Sequence, residues 1–155
     1  MHATDRAARY PRLRGKRILI VEDEAVVSML VEDEFLDAGA EVIGPACSLD
    51  EALQLTETAL ADGGLSAAVL DINLAGEAVW PLADRLAALG VPFVFSTGYE
   101  NDRSANHHAE APRFVKPFDL DTLVAMVQQL TLNDRTSAAI VARHQASQPA
   151  LLQAS

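Results

Sequence analysis

Apolar residues in this chain fall into short runs separated by longer stretches with a different rhythm. The runs Arg17–Val21, Glu41–Pro45, Ala67–Leu70, Phe93–Ser96 and Arg113–Val115 predict five strands. The first, third and fourth are nearly unbroken in apolar residues, as in central parallel strands covered on both faces. Between the runs the apolar positions take a 3.6-residue period. In 25–38, Val27, Leu30, Val31 and Phe35 share a face, and Gly39 offers a C-terminal cap. Ser48 and Glu51 form a capping-box pattern ahead of Leu49, Ala52, Leu53, Thr56 and Leu60, and Gly63-Gly64 ends that helix. Val79, Leu82, Ala83 and Leu86 predict a third helix stopped by Gly90. Asp119 can cap a fourth, with Leu120, Leu123, Val124 and Val127 facing inward. Strands alternating with helices mean βαβ units and an α/β fold with a doubly wound parallel sheet.

One segment breaks the pattern. A full helix belongs between the fourth and fifth strands, yet Glu100–Pro112 has no side chain larger than alanine to bury apart from two histidines. It is expected to be short, mobile or partly disordered. His107 and His108 would point apart on a helix, so they read as a solvated pair rather than a metal site.

Composition narrows the function classes. The chain has 155 residues, 50% of them hydrophobic, which suits one ordinary globular domain with a proper core. The single cysteine, Cys47, excludes an internal disulfide and favours a reducing compartment; it reads as a small packing residue. No apolar run approaches a membrane span, so no membrane role and a cytoplasmic location are expected. Charge is uneven. Six of the twelve basic residues fall in the first 17 with one acid, giving that tail +5 and the remainder −15. Residues 1–15 read as a basic, solvated, flexible arm, and the acidic body argues against nucleic acid as a direct partner. Residues 16–132 hold the predicted domain. The segment 133–155 is expected to be disordered or a short helix, and too small for an output domain.

Ligands of doubly wound sheets bind beyond the carboxyl ends of the strands. There the first strand delivers Glu22 and Asp23, the third Asp71 followed by Asn73, the fourth Thr97 and the fifth Lys116. With strand order 2-1-3-4-5, the first and third strands are neighbours. Three carboxylates then meet in one shallow pocket, with a hydroxyl and an ammonium opposite. Such a set needs a cation. Few hard oxygen ligands with open positions describe Mg²⁺ (or Mn²⁺) better than Ca²⁺ or zinc. The neutralised pocket would let a carboxylate attack a phosphoryl group, with Lys116 and Thr97 available to its oxygens. Lys116 is one of only two lysines against ten arginines, and a compact ammonium fits a crowded phosphate site. The Lys116-Pro117 bond is a candidate cis peptide.

The set "VED", "VLDIN", "FSTG" and "VKPF" resembles the receiver domain of two-component response regulators, over about residues 16–132. The resemblance implies a (βα)5 flavodoxin-like fold. It implies Asp71 as phosphoacceptor and Asp23 as direct metal ligand. Glu22 would ligate directly or through water, and Asn73 through its backbone carbonyl. Thr97 and Lys116 would sense the phosphate. Glu24 receives no such role and reads as a first-turn acid of the first helix. "FSTGYE" and "DINLAGE" resemble more narrowly the FATGUY subgroup of bacterial receivers, often stand-alone. The position three before the lysine, usually aromatic in receivers, is Arg113, which leaves Tyr99 as the nearest possible switch.

The function expected on this basis is a stand-alone regulator, not a turnover enzyme. A histidine kinase or histidine phosphotransfer protein would phosphorylate Asp71, and the signal would pass to an unidentified downstream protein. Two alternatives stand beside it. One is a receiver-like binding module that is never phosphorylated. The other is an aspartyl-nucleophile phosphatase, which the sequence disfavours because Asn73 stands where such enzymes carry a general acid.

Overall fold

The computed structural model describes residues 9–98 and 108–132. A turn of 3-10 helix at Pro11–Leu13 leads into β1 (Arg17–Val21), α1 (Ala25–Asp37), β2 (Glu41–Ala46), α2 (Leu49–Ala61) and β3 (Ala67–Asp71). There follow β4 (Asn73–Leu74), β5 (Glu77–Ala78), α3 (Trp80–Ala88), β6 (Phe93–Thr97), β7 (Arg113–Val115) and α4 (Leu120–Leu132). Five strands form one parallel sheet in the order β2-β1-β3-β6-β7. This is the expected 2-1-3-4-5 order, because β4 and β5 leave the sheet to make an antiparallel ribbon of their own.

The period of two within each strand sorts the core into two layers. Leu19, Val21, Ala68, Leu70 and Phe95 face α2 and α3, where Ala52, Leu82 and Leu86 meet them. Ile18, Ile20, Ala67, Val69 and Val94 face α1 and α4, against Val31, Phe35, Leu123 and Val127. Both faces of β1 and β3 are therefore dry, which is why these runs are apolar throughout. Gly44 sits where the β1–β2 register shifts, with φ +98°. A side chain there would bring a Cβ to 2.8 Å from the Ala46 nitrogen and 2.9 Å from the Ile20 oxygen, so only glycine fits.

Several local expectations need correction. On α1 the buried stripe is Val31, Phe35 and the following Ala38; Leu30, one position off it, is 50% exposed, and Val26 and Met29 are exposed with it. On α2 the fourth buried position is Ala59 rather than Leu60, and Thr56 is buried because its hydroxyl donates to the Ala52 carbonyl at 2.8 Å. The Ser48 hydroxyl accepts from Glu51 N–H at 3.1 Å as a cap should, but Glu51 reaches back to Cys47 N–H at 2.8 Å instead of the Ser48 amide. Cys47 itself is exposed rather than packed in the core.

The basic arm is not a solvated tail over its described part. Tyr10 and Leu13 are buried in the layer shared by α1 and α4. Tyr10 donates to the Asp121 carbonyl at 3.4 Å, the Arg12 amide donates to Gln128 Oε1 at 3.3 Å, and Arg9 lies 3.7 Å from the Asp121 carboxylate. Residues 10–13 thus form a strap along α4, with Arg12 turned outward and the two large apolar side chains turned in. Residues 1–8, the segment 99–107 and the C-terminal segment 133–155 lie outside the described residues. Among the described residues no helix is long and apolar enough to cross a membrane.

Candidate functional site

The carboxyl ends of β1, β3, β6 and β7 converge. β1 runs out at Val21, and the chain turns there so that the next three acids diverge only partly. Glu22 is 4% exposed, and its Oε2 accepts the Glu24 amide at 3.0 Å. Asp23 turns toward the β4–β5 ribbon, where its Oδ2 accepts Ala75 N–H at 3.0 Å. Asp71 closes β3, is also 4% exposed, and its Oδ1 accepts Asn73 N–H at 3.2 Å. One carboxylate oxygen from each of Glu22, Asp23, Glu24 and Asp71 lies within 4.8 Å of all the others. A cavity of about 330 Å³ opens over them, lined also by Asn73, Gly98 and Lys116.

The ribbon is a device the sequence reading overlooked. Ala75 and Gly76, at its tip, have φ of +51° and +96°, the double positive φ of a tight hairpin turn. The Asn73 side chain holds that turn by accepting Gly76 N–H at 2.8 Å. The turn in turn aims the Ala75 amide at Asp23. The readable signal was Gly76 two residues after Leu74, in a stretch too short to look like a strand pair.

Lys116 follows β7, whose register brings it beside the end of β6: its amide donates to the Thr97 carbonyl at 2.8 Å. The Lys116–Pro117 peptide is cis. The ammonium lies 2.9 Å from Glu22, 2.7 Å from Glu24 and 3.0 Å from Asp71. Glu24 is thus a member of the site, contrary to its reading as a simple first-turn acid. It occupies the N-cap position of α1 with extended backbone geometry and no side-chain cap bond, which leaves its carboxylate free to turn back over the pocket. Nothing in "VEDE" distinguishes an acid that turns back from one that points to solvent.

One ammonium serves three of the four carboxylates, and the electrostatics follow. Burial, with Asp71 adding to it, pushes the Glu22 carboxyl up to about 7, although the Glu24 amide and Lys116 pull the other way. Burial also raises Asp71 above the ordinary carboxylate range, against the opposing pull of Lys116. Burial works against the Lys116 charge, but Glu24, Glu22 and Asp71 together outweigh it and its pKa is raised. The pocket therefore carries more negative charge than it can comfortably hold near neutral pH.

No protein-family model and no curated protein sequence matches the chain. Solved structures do. The response regulator PhyR from Brucella abortus matches with a TM-score of 0.71 and 26% identity over 91% of this chain and 58% of that one. This chain therefore spans less than two thirds of PhyR. The response regulator TrrA from Thermotoga maritima, solved with Mg²⁺ and BeF, gives 0.62 and 28% over 74% of this chain and 98% of its own. A CheY-like receiver domain protein from Methanospirillum hungatei gives 0.68 and 22% over 79% and 98%. The chain has the receiver-domain fold.

Within this receiver fold, Asp71, Glu22, Asp23, Glu24, Asn73 and Lys116 come together. All donors are oxygen, several are anionic, and one side is open to water, which suits a hard divalent cation. Thr97 is buried at the last position of β6, beside Asp71's neighbour Ser96 in the β3–β6 register. Tyr99 lies outside the described residues. Arg113, at the position where receivers usually carry an aromatic, puts its guanidinium 4.8 Å from the centre of the Phe95 ring, so a cation–π contact fills that place. His108 is not the solvated residue expected of it. Its Nε2 lies 2.7 Å from Asp84 and its ring meets Phe93 edge-on at 5.3 Å, tying the start of the β7 approach to α3.

Proposed function

We propose that this chain is a response regulator receiver that accepts a phosphoryl group on Asp71. A single observation carries the reading: a buried carboxylate at the end of the central strand has Lys116 Nζ 3.0 Å away and lies in a pocket of further acids that opens to solvent. In the proposed reaction an Asp71 oxygen attacks the phosphorus of a phosphohistidine. The bond from phosphorus to imidazole nitrogen breaks, and its electron pair returns to the imidazole, which takes a proton from solvent. Glu22, Asp23, Asp71 and the Asn73 carbonyl would hold Mg²⁺ or Mn²⁺. When bound, the ion supplies charge neutralisation and Lewis-acid polarisation of the phosphoryl oxygens. Asn73 N–H keeps Asp71 oriented by its bond to Oδ1. Lys116 pairs with a transferred oxygen, and Thr97 at the end of β6 is the candidate hydrogen-bond donor to another.

In this reading the donor is a histidine kinase or a histidine phosphotransfer protein, and the phosphorylated surface is read by a downstream protein. The chain is a phosphoacceptor rather than a turnover enzyme and works as a stand-alone cytoplasmic regulator of the FATGUY subgroup. The motif "FSTGYE" supports the subgroup reading, with Arg113 three positions before Lys116 and Tyr99 two after Thr97 in the sequence. The test is incubation with Mg²⁺ and acetyl phosphate, or with an active histidine kinase, followed by intact mass and by a phosphomonoester turnover assay. One base-labile adduct per chain, lost in EDTA, is the expected result. Multiple turnover of phosphomonoesters would replace the proposal with a phosphatase, and no adduct with either donor would leave a binding module.

A further inference from the structure

Lys116 has three N–H donors, and all three are committed: one each to Glu22, Glu24 and Asp71. A phosphoryl oxygen arriving on Asp71 needs one of them. The three partners are not equally replaceable. Glu22 is 4% exposed, and stripping a buried carboxylate of its cation is costly. Asp71 carries the phosphoryl group itself. The Glu24 side chain is 59% exposed, so on release it regains water. Glu24 nevertheless makes the shortest of the three contacts, at 2.7 Å. It also stands on the wall between two cavities. With Gly98 and Lys116 it lines both the acidic pocket and an apolar groove of about 510 Å³ walled by Val27, Leu30, Pro117 and Phe118.

The geometry points to Glu24 as a positioning residue that competes with the phosphoryl group for Lys116, an inference that rests on the phosphoacceptor reading of Asp71. In the metal-free, unphosphorylated protein Glu24 holds Lys116 at the pocket mouth. On phosphorylation the third N–H passes from Glu24 to a phosphoryl oxygen, and the Glu24 carboxylate swings into solvent. The exchange lowers the net gain from each phosphoryl contact of Lys116, so Glu24 weakens retention of the group. It also removes the charged pair from the rim of the apolar groove, which links the state of Asp71 to the surface beside α1.

The test uses beryllofluoride as the phosphoryl mimic, with binding measured by calorimetry at saturating Mg²⁺ so that any change in metal affinity drops out. Glu24→Gln keeps the shape and removes the charge that competes. It should tighten beryllofluoride about two- to fivefold, the range that exposed ion pairs span. Glu77→Gln, an exposed acid on the nearby ribbon that does not touch Lys116, should change it by much less. A crystal structure of the wild-type complex should show Glu24 beyond hydrogen-bond distance of Lys116. Unchanged or weaker binding by Glu24→Gln overturns the inference, as does an equal gain in Glu77→Gln or a Glu24–Lys116 contact intact in the complex. Failure of the wild type to bind beryllofluoride at all would overturn the phosphoacceptor reading beneath it.

Discussion

Replacing Asp71 with asparagine should stabilise the metal-free protein. The site holds four carboxylates with atoms within 4.8 Å of one another and a single ammonium. Two like charges at that separation repel by about 3–4 kcal/mol at an effective dielectric of 20, and by about 1 kcal/mol in bulk water. The raised Glu22 carboxyl gives a second measure. Its move from 4.5 to about 7 corresponds to about 3 kcal/mol against the charged form, but burial is the main cause and Asp71 the smaller one, so the part that Asp71→Asn can relieve is about 1–2 kcal/mol at most. Asp71→Asn removes one charge and leaves a single acceptor oxygen, which can keep the Lys116 contact made by Oδ2 while the amide NH2 takes the Oδ1 position beside Asn73 N–H, so the lost contact offsets part of the relief. The net gain in EDTA at pH 8 should be at most about 1–2 kcal/mol, or about 3–6 °C in Tm for a chain of this size. The assay is thermal unfolding by circular dichroism in EDTA, across pH. Its pH dependence has a defined sign. Glu22 and Asp71 have raised pKa values in the folded state, so between pH 4.5 and about 7 the folded protein binds more protons than the unfolded one. Metal-free wild type should therefore lose stability as pH rises through that window, and the advantage of Asp71→Asn should shrink toward pH 5. The raised Lys116 titrates far above this window and does not alter it. An Asp71→Asn variant that melts below wild type in EDTA at pH 8 would refute the reasoning, because Lys116 would then be satisfying the acids in full.

Three further outcomes are expected. Mg²⁺ should raise the Tm of wild type, and Asp23→Ala should lose most of that rise, each variant being compared with its own Tm in EDTA; this can be read in the same unfolding experiment. Leu13→Ala should cost about 2–4 kcal/mol in urea unfolding, since Leu13 is fully buried under α4, whereas a solvated arm would show no effect. Gly44→Ala should destabilise by more than about 2 kcal/mol, because the added Cβ meets two backbone atoms below 3.0 Å at a positive φ.

The fold was largely legible because it rests on periods. Ile18 to Val21 are apolar at every position since β1 is covered on both sides, and α3 follows its stripe from Val79 to Leu86 without exception. The site was legible in outline because strand ends in a doubly wound sheet converge by topology, so Asp71 and Lys116 meet although 45 residues apart. What escaped was decided by side-chain direction and tertiary contact. Leu30 and Val31 are equally apolar, and only the packing of α1 against β1 and β2 decides which is buried. Leu13 sits among arginines, so its charge context hid its burial. Glu24 is set by one backbone turn after β1, and the β4–β5 ribbon by two positive φ values, neither of which a hydropathy pattern records.

As a phosphoacceptor, Asp71 would take a phosphoryl group in a pocket whose acids hold a divalent cation and whose lysine steadies the product. The most direct measurement is intact-mass analysis with peptide mapping after exposure to acetyl phosphate or an active histidine kinase in Mg²⁺. The expected result is a single phosphoryl adduct that maps to Asp71, disappears in Asp71→Ala and does not form in EDTA. An adduct on another residue, or one that forms equally well without a divalent cation, would contradict it.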